Sequence, residues 1–355
     1  MSEPASSMQQ MNDVIDKTLQ RGLKGFDYVR AGTAQVGLTP KELIYDQGTL
    51  RLYRYRPMED EIYRIPLIIV MATTNKGFLF DLLPGQSMVE YLLRQGFDVY
   101  MVDWEPPLMQ ERGLGLADYT HDFLPSCVAK VQEESGEQDI NILGYCQGGV
   151  LSLIYAAANT KGPLKNLACI TTPVNFHEMG LFRLWSSKEY MDVDKLVDSL
   201  GVIPADFIAR SFEMLRPAQR TAGTLRLWDQ MWNDDFVKSY RALQRWGDET
   251  LPLAGAYYRD CTRELMWDNK LYTGELKIRG DEINLANIKI PIMAAMAEHD
   301  HIASYPATKP LLELVGSKDK QELVLKGGHV SLIAGPNAVR RMWPAVSQWL
   351  GERSV

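Results

Sequence analysis

One six-residue stretch constrains this chain more than any other. A short apolar run, Ile140 to Leu143, ends in Gly144-Tyr145-Cys146-Gln147-Gly148-Gly149, and a helical pattern rich in Leu and Ala follows from Val150 to Ala158. A strand that turns sharply into a helix forces the residue at the turn into strained backbone angles, and its neighbours must lack a β-carbon so that the chains can approach. Gly144, Gly148 and Gly149 meet that requirement. The helix that follows offers unpaired N–H groups and the positive end of its dipole, which favour a thiolate and a developing oxyanion. A free cysteine is usually a small buried hydrophobe, and Cys127, Cys169 and Cys261 read that way. Its setting makes Cys146 a nucleophile instead.

Strand, G-x-nucleophile-x-G and helix together form the nucleophile elbow of α/β-hydrolases, here with Cys in the Ser position. The rest of the chain agrees. Leu52 to Tyr55, Ile65 to Met71, Val99 to Val102 and Leu167 to Ile170 read as further strands, with helical patterns at Gln86 to Arg94 and Leu116 to Glu134. Two more strands, Ile290 to Ala297 and Glu322 to Leu325, and a closing helix, Ala338 to Leu350, resume the rhythm late. This alternation predicts an α/β fold, a mostly parallel sheet with helices on both faces. Three parts follow: an N-terminal helical segment over 1–34, a hydrolase core over 35–173 and 286–355, and an inserted helical cap over 174–285. In the N-terminal segment Met11, Ile15, Leu19 and Leu23 recur at helical spacing, with the exposed face read as solvent-facing rather than a docking surface. In the cap the strand rhythm stops, and five of the eight tryptophans gather there, Trp185, Trp228, Trp232, Trp246 and Trp267. They predict a second small core or the apolar wall of a substrate channel, two readings that are compatible.

Composition excludes several classes. At roughly 150 residues per domain, 355 residues hold one large or two modest domains. The longest apolar runs, such as Pro66 to Ala72, fall far short of the roughly 18 residues of a membrane span. The first residues carry neither a basic nor an apolar signal region, and four cysteines without a CxxC pair fit a reducing cytoplasm and no zinc site. A formal charge of −7 leaves no basic field for nucleic acid, though a local Lys or Arg can still hold a small anion.

Elbow hydrolases order their triad as nucleophile, acid, histidine. After Ile290 to Ala297 come Glu298, His299, Asp300 and His301, and after Glu322 to Leu325 come Lys326, Gly327, Gly328 and His329. His329 is the expected base. Asp300 is preferred to Glu298 as the acid because His301 and Ile302 continue it into a tight post-strand turn. His121 and His177 lack such a setting and read as structural. The oxyanion hole is expected from the backbone N–H of Gln147 and a second N–H near Thr73 and Thr74, taken as that of Thr74.

Cysteine also bears on the reaction class. A thiolate exchanges with a thioester at little thermodynamic cost and keeps the acyl group activated, whereas serine would trap it as an oxyester. Inside a dry pocket this suits acyl transfer from coenzyme A to an alcohol better than hydrolysis.

The elbow, Asp300-His301-Ile302 and Gly328-His329 resemble the polyhydroxyalkanoate synthases, most closely the short catalytic subunits of classes III and IV and class IV above all. Gln35-Val36-Gly37-Leu38-Thr39-Pro40, Asn75-Lys76, Gly96-Phe97-Asp98-Val99-Tyr100, Asp103-Trp104 and Gly274-Glu275-Leu276 extend the similarity over about residues 35–352. Where that family continues Asp-Trp-Gly, this chain reads Asp103-Trp104-Glu105-Pro106-Pro107, which sets a charge and two rigid residues near the rim. The resemblance implies that Cys146 carries the growing chain, His329 activates thiol and hydroxyl, Asp300 assists the incoming hydroxyl, and His301 supports the site from behind. It implies (R)-3-hydroxyacyl-CoA as substrate, with short acyl groups such as 3-hydroxybutyryl. CoA arrives on the substrate and is released, so no resident cofactor and no metal are expected. A homodimer, an accessory subunit, a moving cap and a cytoplasmic location on polymer granules are implied as well. Two rival readings are a thioesterase or other hydrolase on the same scaffold, and a non-catalytic granule-coat or scaffold protein. The intact triad positions argue against the second.

Overall fold

Apolar runs with no polar alternation demand burial on both faces, and the middle of this molecule supplies it. The computed structural model describes residues 4–354; residues 1–3 and 355, the outer ends of the expected N-terminal and core segments, lie outside the described residues. A long helix, α1 (Pro4–Arg30), precedes a sheet of eight strands: β1 (Lys41–Gln47), β2 (Leu50–Tyr55), β3 (Leu67–Val70), β4 (Val99–Trp104), β5 (Ile140–Tyr145), β6 (Leu164–Ile170), β7 (Ile292–Ala297) and β8 (Lys320–Leu325). They lie in the order β1-β2-β4-β3-β5-β6-β7-β8. β2 runs antiparallel to both β1 and β4, and every other pairing is parallel. Every residue of β3, β4, β5 and β7 is buried. This is the α/β-hydrolase arrangement. Helices α2 (Met88–Arg94), α3 (Leu124–Ser135) and α4 (Gln147–Ala158) flank the sheet, and α4 is buried from Gly148 to Ala157.

β1 has no counterpart in the sequence reading. It is an edge strand whose Glu42, Leu43, Asp46 and Gln47 are exposed, so it carries no apolar run to announce it. Helix α3 starts later than the apolar spacing predicts, at Leu124, because a wider π-type turn spans Asp118–Phe123 ahead of it.

Between β6 and β7 the chain is mostly helical: α5 (Leu181–Trp185), α6 (Val193–Leu200), α7 (Ala205–Leu215), α8 (Ala218–Asp229), α9 (Asp234–Asp248) and α10 (Gly255–Asp260). Two short pairings break the expected absence of strands there, Val202–Ile203 with Leu253–Ala254 and Leu276–Ile278 with Asp281–Ile283, each too short to leave a periodic trace. The tryptophans of this region build no second core. Trp228 is 54% exposed, and Trp232 packs under the Lys17 ammonium. Trp185 and Trp246 line cavities, as the wall reading requires.

Helix α1 presents an unusual face. Its polar side docks on the cap through Arg21 to Asp229 (2.8 Å), Lys24 to Asp234 (2.7 Å) and Tyr28 to Gln244 (3.0 Å). Its apolar side points outward, with Met11, Ile15, Leu19 and Leu23 between 50% and 71% exposed. Among the described residues no helix is long and apolar enough to cross a membrane.

Candidate active site

Cys146 sits where β5 turns into α4, with φ 52° and ψ −118° and its N–H donated to the Ile170 carbonyl at 2.8 Å. Such angles are costly for a residue with a β-carbon and persist only where the surroundings impose them. Here close packing does so. A β-carbon on Gly148 would lie 2.6 Å from the Met71 carbonyl oxygen, one on Gly144 would meet the Gly149 Cα at 2.5 Å, and one on Gly149 would collide with Thr172. The elbow glycines are needed for approach.

Asp300 follows β7 and His329 follows β8, so parallel neighbouring strands deliver both to one end of the sheet. One carboxylate oxygen of Asp300 accepts the backbone N–H groups of Ile302 (2.8 Å) and Ala303 (3.0 Å), and the other meets His329 Nδ1 at 2.7 Å. An ionised carboxylate only accepts, so Nδ1 carries the hydrogen and Nε2 is left for Cys146. The pair is nearly sealed, with side-chain exposures of 5% for His329 and 1% for Asp300. Burial alone would lower the imidazole pKa, but the charges of Asp300 and Cys146 and hydrogen bonding to both outweigh it, pushing His329 up to about 10. The Tyr145 ring packs 5.2 Å from the imidazole. Glu298, the other carboxylate after β7, is 42% exposed, and its carboxylate lies 4.0 Å from His299 rather than against His329.

The loop expected to supply an oxyanion-hole donor follows β3. The Leu251 N–H is donated to the Thr74 carbonyl (2.7 Å), and Trp246 Nε1 is donated to the Lys76 carbonyl (3.0 Å), so two cap residues hold this loop. Among the described residues the N–H groups of Gln147 and Thr74 have no protein acceptor. Thr73 is turned inward, its hydroxyl donated to Gln147 Oε1 at 2.6 Å. Glu105, expected near the rim, lines neither cavity at Cys146 and pairs with Lys76 at 2.7 Å.

His301 makes no hydrogen bond to Asp300 or His329. Its Nδ1 is buried without a partner, and burial, with help from Arg216, lowers its pKa, so it is neutral. His121 bonds Thr120 at 2.8 Å and His177 bonds the Trp267 carbonyl at 3.0 Å, both away from Cys146. Among the described residues no cluster of His, Cys, Asp and Glu is arranged to hold a metal ion.

Two cavities meet at Cys146. The larger, about 780 Å³, passes Tyr145 and His329 and opens among Arg210, Arg216 and Arg220 of the cap. The smaller, about 210 Å³, is lined by Phe176, Phe182, Trp185, Met191, Tyr258 and Met266, with no charged residue in its wall. Cys261 also lines it. The reading of Cys261 as a small buried hydrophobe is amended in one respect: it packs against the core but is only partly buried and lies at the site's edge, a position no spacing from Cys146 announces. Arg210 and Arg216 were equally invisible, since only folding brings α7 over the elbow.

Comparison with known proteins agrees with this geometry. Residues 80–336 match the family model described as alpha/beta hydrolase fold, and residues 11–92 match that of the poly-beta-hydroxybutyrate polymerase (PhaC) N-terminus. The poly(3-hydroxyalkanoate) polymerase subunit PhaC of Thiocystis violacea is 32% identical over 345 residues, covering 96% of each chain. That of Allochromatium vinosum is 31% identical over 354 residues, covering 99% of this chain and 98% of its own. The longer protein of the same name from Haloferax mediterranei is 33% identical over 321 residues, 90% of this chain but 65% of its own. Among solved structures, a monoacylglycerol lipase from Paleococcus ferrophilus superposes with a TM-score of 0.55 at 17% identity, covering 85% of this chain and 99% of its own, a likeness of fold alone. An acid-histidine pair closing on an elbow cysteine, on a chain matched end to end by such relatives, places this protein in the poly(3-hydroxyalkanoate) polymerase PhaC family of α/β-hydrolase folds.

Proposed function

We propose that this chain polymerises (R)-3-hydroxyacyl-CoA, with 3-hydroxybutyryl-CoA as its principal substrate, into polyester with release of CoA. The observation that carries this reading is the buried Asp300–His329 pair beside Cys146 at the junction of two cavities of opposite character. The raised pKa of His329 supports an imidazolium that stabilises a Cys146 thiolate. The thiolate attacks the thioester carbonyl, the resulting oxyanion faces the N–H groups of Gln147 and Thr74, and CoA leaves as a thiol with the proton from His329. A hydroxyl then gives its proton to His329 as its oxygen takes the acyl group from sulfur, forming an ester and restoring the thiolate. Asp300 holds the imidazole in the tautomer both steps need.

The larger cavity suits CoA. Among the described residues Arg210 and Arg216 make no ion pair, whereas Arg220 is bound to Glu213 at 2.8 Å; with Asp248 in the same wall offsetting one of them, the balance is still the local positive charge that phosphates need on an acidic protein. The uncharged smaller cavity suits the acyl chain. Residues 174–285 act as a cap that admits substrate and limits water, and no resident cofactor is needed. Family membership supports extending the reading to a homodimer working with an accessory subunit at the surface of a polyester granule.

Incubation with 3-hydroxybutyryl-CoA tests the proposal. The expected products are free CoA and insoluble polyester, with labelled monomer recovered as a thioester on Cys146. Cys146→Ala should lower CoA release by roughly 10³-fold or more. Soluble 3-hydroxybutyrate with no polymer would instead identify a hydrolase, and CoA release unaffected by Cys146→Ala would refute the role of the sulfur.

A further inference from the structure

The side chain of Gln147 has no part in the chemistry above, yet it occupies a demanding place. It is the first residue of α4, next to the strained Cys146, and its backbone N–H is one half of the oxyanion hole. Its amide is held from two sides. Oε1 accepts the Thr73 hydroxyl at 2.6 Å, and Nε2 faces the Cys261 sulfur at 3.9 Å. Thr73 belongs to the loop that supplies the other half of the hole. Cys261 belongs to the cap, directly after α10.

Tyr257 of α10 completes the cluster. It is fully buried, and its hydroxyl lies beside Thr73 and Cys261 without a well-formed hydrogen bond to either among the described residues. Burial, reinforced by Asp260, raises the Cys261 pKa to about 12, so its thiol stays neutral and does not compete with Cys146 as a nucleophile. Cys261 therefore serves as a soft acceptor for an amide N–H.

We propose that the Gln147 side chain is a positioning residue: clamped between Thr73 and the cap residue Cys261, it fixes the spacing of the two oxyanion-hole N–H groups. The argument is geometric. The N–H groups of Thr74 and Gln147 come from segments far apart in sequence, and stabilisation of an oxyanion falls steeply once its donors drift from the required distance. The Thr73–Gln147 bond ties the two segments together, and Cys261 keeps the amide from rotating away. This inference rests on the reading of Cys146 as acyl carrier and concerns only its acylation.

The test is single-turnover CoA release from 3-hydroxybutyryl-CoA by the full chain under reducing conditions. Gln147→Leu, similar in size but without the amide, should slow acylation by about ten- to a hundred-fold, with KM and thermal midpoint nearly unchanged. Cys261→Ala should reproduce part of the loss, and Cys261→Ser, which keeps an acceptor, should restore it. A lower thermal midpoint or higher KM with an unchanged acylation rate would overturn the inference, as would Cys261→Ser remaining as slow as Cys261→Ala. Should Gln147→Leu not fold, Thr73→Val and Cys261→Ala carry the test: acting through one amide, their effects are non-additive, and additivity refutes the clamp. A normal CoA burst without polymer would defeat the polymerase reading and leave this inference intact. A normal burst in Gln147→Leu does the reverse.

Discussion

His329 carries its charge in a place where charge is expensive, and the environment that permits this also sets a pH dependence. Its folded pKa stands above the free value near 6.5. The stability it contributes is therefore complete below about pH 6.5 and disappears as pH rises through about 10. The difference in unfolding free energy between the wild type and His329→Gln should be about 2 kcal/mol at pH 6 and close to zero above pH 10, as urea titrations at a series of pH values would show. Asp300→Asn tests the other partner. An amide cannot accept from Ile302, Ala303 and His329 at once, so the imidazole should adopt the wrong tautomer and kcat should fall by roughly 10³-fold or more, measured as CoA release. Cys146 was legible because glycines cannot be placed casually around a strained turn, and His329 because it follows two glycines in the loop after the last strand. The choice between Asp300 and Glu298 was not settled by position after β7. It depends on which carboxylate the Ile302 and Ala303 N–H groups wrap, a property of the folded turn.

At the scale of elements, the elbow is held by contact between β3, β5, β6 and α4. Gly148→Ala should destabilise the protein by about 1–3 kcal/mol, seen as a lower thermal midpoint, because the added methyl meets the backbone carbonyls of Val70, at the end of β3, and of Met71 just after it. The buried strands were readable as apolar runs for the same reason that they pack on both faces, whereas β1, solvated along its edge, had no such signature. The helices of the cap were readable, but their placement over Cys146 was not, since nothing in local periodicity fixes how α7 and α9 cross the sheet. Trp246→Phe isolates one of the bonds made there. Losing the hydrogen bond to the Lys76 carbonyl should cost about 1 kcal/mol, or roughly five-fold in kcat, with thioester affinity little altered.

Across the whole molecule, α1 is attached differently from everything else. It contributes ion pairs on an exposed surface and turns its apolar residues away, so deleting residues 4–30 should shift the thermal midpoint by only a few degrees. Differential scanning calorimetry would show this, and a collapse of the midpoint would mean that the helix shares the core. The cap is attached by backbone as well as side chain: Leu251 and Trp246 brace the loop of Thr74 and Lys76 that follows β3. A cap displaced far enough to part those two braces would leave that loop without its partners. Roof and floor thus share two fasteners, and any widening of the entrance that spares both leaves the floor undisturbed.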